Sequence, residues 1–314
     1  MGLMCGISIC CLVRIAVPDL ISNSYFPAIA AVELGCLRDE GIDATVELLF
    51  PVNDAYRALA AGEVQMVAGS AHSALAAFPG WRGVKLLAAQ AQGMYWFLVM
   101  RSDVEADRND VSVVRGRKIG AAPWVDLGLR QLVVDAGLSL DEVDIAPVPG
   151  AAGAGTNFGL ISARALEQRT IDGFWANGMG AETALRSGAG TLVLDVRRGD
   201  GPDGCFDYTF ASLAATDEFI AADRGRARAV VRALRRAHAL LAEDPERATD
   251  VGERVFPPEQ AALIAELVRR DIPFYDAEIP ERAVAGMNRF ARARGLLEGE
   301  PAYEDVVALD IDRS

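Results

Sequence analysis

The sequence predicts an α/β protein of two lobes that face each other across a ligand cleft. Short apolar strands alternate with helical patterns from residue 14 onward, the same plan begins again after residue 102, and beyond residue 215 the chain turns helical. At 314 residues the chain exceeds the usual size of one core, so two lobes sharing it are expected. Hydrophobic residues make up 51% and charged ones 24%, and no long polar tract interrupts them, so the whole length can bury a core.

Residues 14–17 read as the first strand. Ser24 is placed to cap the helix that follows, Pro27 is tolerated in its first turn, and Gly35 stops it. Residues 45–50 alternate as a second strand, and Asn53 is placed to cap a helix over 54–61 ending at Gly62. Residues 65–68 form the third strand, Gly69-Ser70 turns into another helix, and residues 85–90 and 95–101 supply two more strands.

After a polar stretch the plan repeats, with strands over 118–121, 143–148, 173–176 and 191–195. Helices are expected after Asp126 and around 160–168 and 179–187. A weak internal repeat supports this. Ala58-Leu59 followed by residues 64–70 has its counterpart in Ala165-Leu166 followed by residues 171–177, and Ile15-Ala16-Val17 resembles Ile119-Gly120-Ala121. Residues 209–215 read as a last strand. Helices are then predicted over 226–242, 245–255, 258–270 and 279–294, with Pro245, Pro258 and Pro280 near their starts. A helical tail of this length is expected to pack on the first lobe.

The net charge of −13 opposes nucleic acid or an anionic membrane surface as partner. No run reaches the roughly eighteen apolar residues of a membrane span. Lys85 and Lys118 are the only lysines, which removes most candidates for a Schiff base or a phosphate-loop lysine. The five cysteines, Cys5, Cys10, Cys11, Cys36 and Cys205, suggest no disulfide framework, and Cys36 and Cys205 read as buried small hydrophobes. Two histidines without a spaced ligand set argue against a metal site, and no cofactor is expected.

In open α/β sheets ligands lie beyond the carboxyl ends of the strands. That points to loops 19–25, 69–73, 123–126, 153–158 and 175–178. Ser22, Asn23, Ser24, Ser70 and Ser73 offer hydroxyls, an amide and helix-start N–H groups suited to a carboxylate, sulfonate or phosphate oxygen. The same loops bring Tyr25, Asn157 and Asn177 to the cleft. Trp124 and Trp175, with Tyr95 and Trp96 near the expected hinge, would give the pocket aromatic walls. His72 stands at the cleft and is the candidate catalytic residue if the protein is an enzyme; otherwise no catalytic residue is expected. The glycine-rich stretch 150–155 lacks a following Gly-Lys-Ser/Thr and reads as a loop lining the cleft.

The order of elements, the paired Ala-Leu-turn-strand segments, the strand and helix over 210–222, Asp244-Pro245-Glu246 and Tyr303-Glu304-Asp305 resemble the nitrate/sulfonate/taurine solute-binding family. That family also includes the pyrimidine-precursor synthase of thiamine biosynthesis. The resemblance spans about residues 13–308 and rests on spacing. It implies a type II periplasmic-binding-protein fold with crossovers near residues 100–103 and 206–211. Lobe 1 would then comprise 13–101 and 209–314, lobe 2 would comprise 102–208, and residues 1–12 would form an N-terminal extension.

It further implies a monomer that captures a small organic solute, anionic or aromatic, and hands it to the permease of an ABC importer. The cysteine-rich motif of the thiamine-pathway enzyme is absent. The second reading is a cytosolic decarboxylase or heterocycle synthase on the same scaffold. Residues 1–13 are apolar without a preceding basic residue, so the expected location is the cytoplasm as written, or the periplasm or cell surface if an export signal is missing.

Overall fold

Strands that are apolar on both faces belong in the middle of sheets covered by helices on both sides, and the chain has two such groups. The computed structural model describes residues 12–151 and 157–311. Cys5, Cys10 and Cys11, and most of the glycine-rich stretch 150–155, lie outside the described residues.

In chain order the strands are β1 (Val13–Val17), β2 (Ala44–Leu48), β3 (Met66–Ser70), β4 (Val84–Ala91), β5 (Phe97–Arg101), β6 (Lys118–Ala121), β7 (Asp144–Ala146), β8 (Gly173–Ala176), β9 (Gly190–Asp195) and β10 (Ala211–Thr216). They form two five-stranded sheets, ordered β2-β1-β3-β10-β4 and β7-β6-β8-β5-β9.

The two sheets follow one plan. β1 pairs in parallel with β2 and β3, as β6 does with β7 and β8. One antiparallel strand then joins each sheet, β10 between β3 and β4 and β5 between β8 and β9. Each of these strands enters directly from the other sheet. The sequence repeat is therefore topological, since β3 and β8 take the same place and follow matching helices, Val52–Ala60 and Phe158–Glu167.

The first crossover differs from the expectation. Residues 97–101 pair with β8 and β9 and so belong to the second sheet, which moves the crossing from 100–103 back to residues 92–96. Periodicity marks an apolar strand but not the sheet it joins. Gly93 makes the turn, with φ +69° and the Phe206 ring within 2.3 Å of where a Cβ would stand. The second crossing occupies residues 196–210 between β9 and β10.

Each sheet has a buried cluster on both faces. Ile15, Met66 and Leu213 lie on one face of the first and Ala16, Val67 and Ala214 on the other; Leu98, Ile119 and Trp175 oppose Val99, Phe174 and Ala176 in the second. Helices Arg224–Glu243, Arg247–Val255 and Pro258–Asp271 pack on one face of the first sheet, and Glu281–Ala293 on the other.

Three helix starts differ from the sequence reading. Helix Phe26–Glu33 begins after Tyr25, and Ser24 makes no capping bond to it. Pro51, not Asn53, precedes helix Val52–Ala60, because the Pro51 carbonyl already takes the N–H groups of Asp54 and Ala55. Asp126 is the first residue of helix Asp126–Asp135 rather than its cap, and its carboxylate pairs one turn on with Arg130 at 2.7 Å.

Candidate functional site

Two helices of the second lobe start at the carboxyl ends of their strands, and each is capped by asparagine. The Asn157 Oδ1 accepts the N–H of Leu160 at 2.8 Å, and the Asn177 Oδ1 accepts that of Gly180 at 3.0 Å. With its oxygen used, each side chain has only its amide N–H₂ left to offer, and both amides reach one group: the carboxylate of Asp19, in the loop after β1. The N–H of Ile21 donates to the same carboxylate at 3.0 Å. Asp19 thus ties the first lobe to the starts of helices Phe158–Glu167 and Gly178–Arg186. Burial raises its pKa to about 7, outweighing the hydrogen bonds from Ile21, Asn177 and Asn157 that lower it.

Beside Asp19 a small cavity of about 40 Å³ lies between the lobes. Its walls are Tyr25, Phe50 and Val52 from the first lobe and Trp96, Phe158 and Asn177 from the crossover and second lobe. Phe50 and Phe158 stack across the gap with ring centroids 6.3 Å apart. The Tyr25 and Tyr95 hydroxyls meet at 2.6 Å, and Tyr95 in turn lies 4.7 Å from Trp96, ring to ring. Among the described residues the lining side chains include one carboxylate and no lysine, arginine or histidine. A larger and more open hollow beside Lys85, Arg224 and Leu309 lies at the outer edge of the first sheet, away from these loops.

His72 is sealed behind this wall. Its Nε2 lies 3.1 Å from the Trp124 carbonyl and its Nδ1 lies 2.9 Å from the Thr209 hydroxyl. A carbonyl only accepts, so Nε2 carries the proton and Nδ1 accepts from Thr209. Burial lowers the imidazole pKa to about 4 and keeps it neutral. Trp124 holds a left-handed backbone at φ +70°, stacks on His72, and packs on the first lobe's core. His72 is therefore a fastening between lobes, with both nitrogens engaged.

The structure brings Tyr25 and Asn177 to the cavity wall and Asn157 to the Asp19 carboxylate on that wall. The other expected site residues form a layer further back. Ser70 and Ser73 share a 2.6 Å hydroxyl bond. Asn23 donates to Asp271, and Ser24 Oγ and Trp175 Nε1 are buried with no partner among the described residues. Tyr95 and Trp175 lie behind Trp96, the one of the four aromatics expected to wall the pocket that does so. The expected ligand loops 19–25 and 153–158 contain Asp19 and Phe158 without singling them out, and Phe50 was missed. The signal for Asp19 was its place, an acidic residue two beyond an apolar strand in the loop where ligands gather.

A second polar cluster binds the crossovers together. The Arg197 guanidinium and Asp271 carboxylate form a fully buried pair at 3.2 Å, and Arg197 Nε donates to the Gln92 carbonyl on the first crossing at 2.8 Å. Tyr95 and Phe274 flank the guanidinium, each with its centroid 5.3 Å away.

Among the described residues no helix is long and apolar enough to cross a membrane, and no cluster of three or more potential metal ligands is found.

The profile of the NMT1/THI5-like family matches residues 22–248. No curated protein is matched by sequence. Solved structures share the fold over nearly the whole chain. A protein from Bordetella bronchiseptica RB50 is similar with a TM-score of 0.73 at 18% identity, covering 96% of this chain and 95% of its own. The MOPS-bound alkanesulfonate-binding protein SsuA of Xanthomonas axonopodis pv. citri is similar at 0.70 and 14%, covering 96% and 97%. The periplasmic nitrate-binding protein NrtA of Synechocystis PCC 6803 follows at 0.69 and 12%, covering 96% and 86%. The two-lobed α/β fold is thus that of periplasmic binding proteins.

Proposed function

The chain belongs to the NMT1/THI5-like family, and from that premise we propose that it is a solute-binding protein which closes around one small organic molecule and delivers it to an ABC-type importer. The single observation that carries this reading is the cavity walled by strand-end loops of both lobes, with Asp19 of one lobe held by Asn157 and Asn177 of the other. A solute touching both walls favours the closed arrangement by its differential affinity for it. Nothing further is asked of the protein chemically, and the sealed, neutral His72 offers no free nitrogen to act as a base. The names of the structural neighbours, alkanesulfonate-binding and nitrate-binding, support the transport setting.

Thermal denaturation of the full chain against a library of small aromatic and charged solutes tests the proposal. A true ligand at about a hundred times its Kd adds about 2.7 kcal/mol of stability. Solution scattering should then show a compaction that depends on the same compound. A library in which no compound shifts the midpoint, combined with an unchanging radius of gyration, would overturn the reading.

A further inference from the structure

Resting on the solute-binding reading, we infer that the solute presents a cationic or N–H-donating head to Asp19 and holds a flat apolar body against Trp96, Phe50 and Phe158. Among the described residues Asp19 is the one charged side chain on the cavity wall, and no basic residue faces it there. The features that would recruit an oxyanion are already occupied. The first-turn N–H groups of Leu160 and Gly180 are taken by the Asn157 and Asn177 oxygens, and both amide N–H₂ groups are taken by Asp19. The protein supplies its own anion at these two helix starts.

The carboxylate retains acceptor capacity. One oxygen receives both Ile21 and Asn157, while the other receives Asn177 alone. A carboxylate has about four lone-pair sites, so the second oxygen can accept one more donor. An anionic head placed here would meet like charge in a desolvated site; a cationic head would meet the charge that burial leaves undercompensated. Tyr25 is the other titratable side chain on the wall, and burial holds its phenol far above neutral pH. With Asp19 near pKa 7, a cationic head binds its ionised form, so affinity for it rises with pH through neutrality, whereas an anion would bind better as pH falls.

Calorimetric titration of the full chain with three shape-matched probes, benzamidinium, benzamide and benzoate, tests this at about pH 6 and about pH 8.5. Benzamidinium should bind at least about tenfold tighter than benzoate and gain affinity at the higher pH, in keeping with one charge contact. Asp19→Asn should remove that preference by weakening benzamidinium at least about tenfold relative to benzoate. The wild-type ratio decides even if the variant folds poorly. Benzoate binding tighter than benzamidinium, or a cation preference that survives Asp19→Asn, would overturn the inference and leave the solute-binding reading standing. Silence of all three probes would count against both.

Discussion

A buried carboxylate whose pKa sits near 7 makes Asp19 a residue with a measurable cost. In the unfolded chain an aspartate titrates near about 3.9, so between that value and about 7 the folded state holds the proton more tightly. Stability contributed by this residue therefore falls as pH rises through the window. His72 and His238 work in the opposite sense. Burial holds both near pKa 4, so their contribution is lost as pH falls from about 6.5 toward that value. A difference between variants isolates the aspartate. In urea denaturation, Asp19→Asn should gain stability relative to wild type as pH is raised from about 4 to about 7. A difference that stays flat across the window would show that Asp19 is not buried as described. His72→Ala should lose about 1–3 kcal/mol beyond its packing loss, because the Trp124 carbonyl and Thr209 hydroxyl are left without a partner. It should still respond to the solute.

The helices that offer Asn157 and Asn177 can start side by side only because glycines stand where they touch. A Cβ on Gly180 would lie 2.7 Å from the Cα and carbonyl oxygen of Gly159, and one on Gly159 would lie 2.7 Å from the Asn177 Oδ1. Backbone cannot yield as a flexible side chain can. Gly180→Ala should therefore cost about 1–3 kcal/mol of stability and weaken the solute by spreading the two amide donors. An affinity equal to wild type would show that the spacing of these helix starts does not matter to the site. At this scale much was legible in the sequence. The strands over 118–121 and 173–176 were read with the ends the structure gives them, and the matching of 58–70 with 165–177 was the plan of the sheets themselves. The sheet that residues 97–101 join was not legible, since an apolar run has the same pattern in either lobe. Asp19 was legible only by its place in the loop after the first strand, because nothing local distinguishes a carboxylate that meets two amides from the other lobe from one that faces water.

At the scale of the molecule, closure has to bend the two crossings, and Arg197 holds both. It stands at the start of the second crossing, donates to Gln92 on the first, and pairs with Asp271 at the end of a helix packed on the first lobe. Asn23, from the loop after β1, donates to the same carboxylate. Truncating one member of a buried pair leaves the other charge without compensation, which commonly costs about 3–5 kcal/mol. Arg198 and Arg270 also approach Asp271, at 3.5 and 3.4 Å, so Arg197→Met should fall at the lower end of that range. The second substitution, Asp271→Asn, removes the orphaned charge. A double-mutant cycle in urea should therefore give a coupling of at least about 1 kcal/mol between the two positions. If the cluster also stiffens the hinge, the solute-free Arg197→Met protein should show a larger radius of gyration than wild type, and saturating solute should abolish the difference. A coupling indistinguishable from zero, with scattering profiles that superimpose, would mean that the crossings are held by the flanking Tyr95 and Phe274 rings and not by charge.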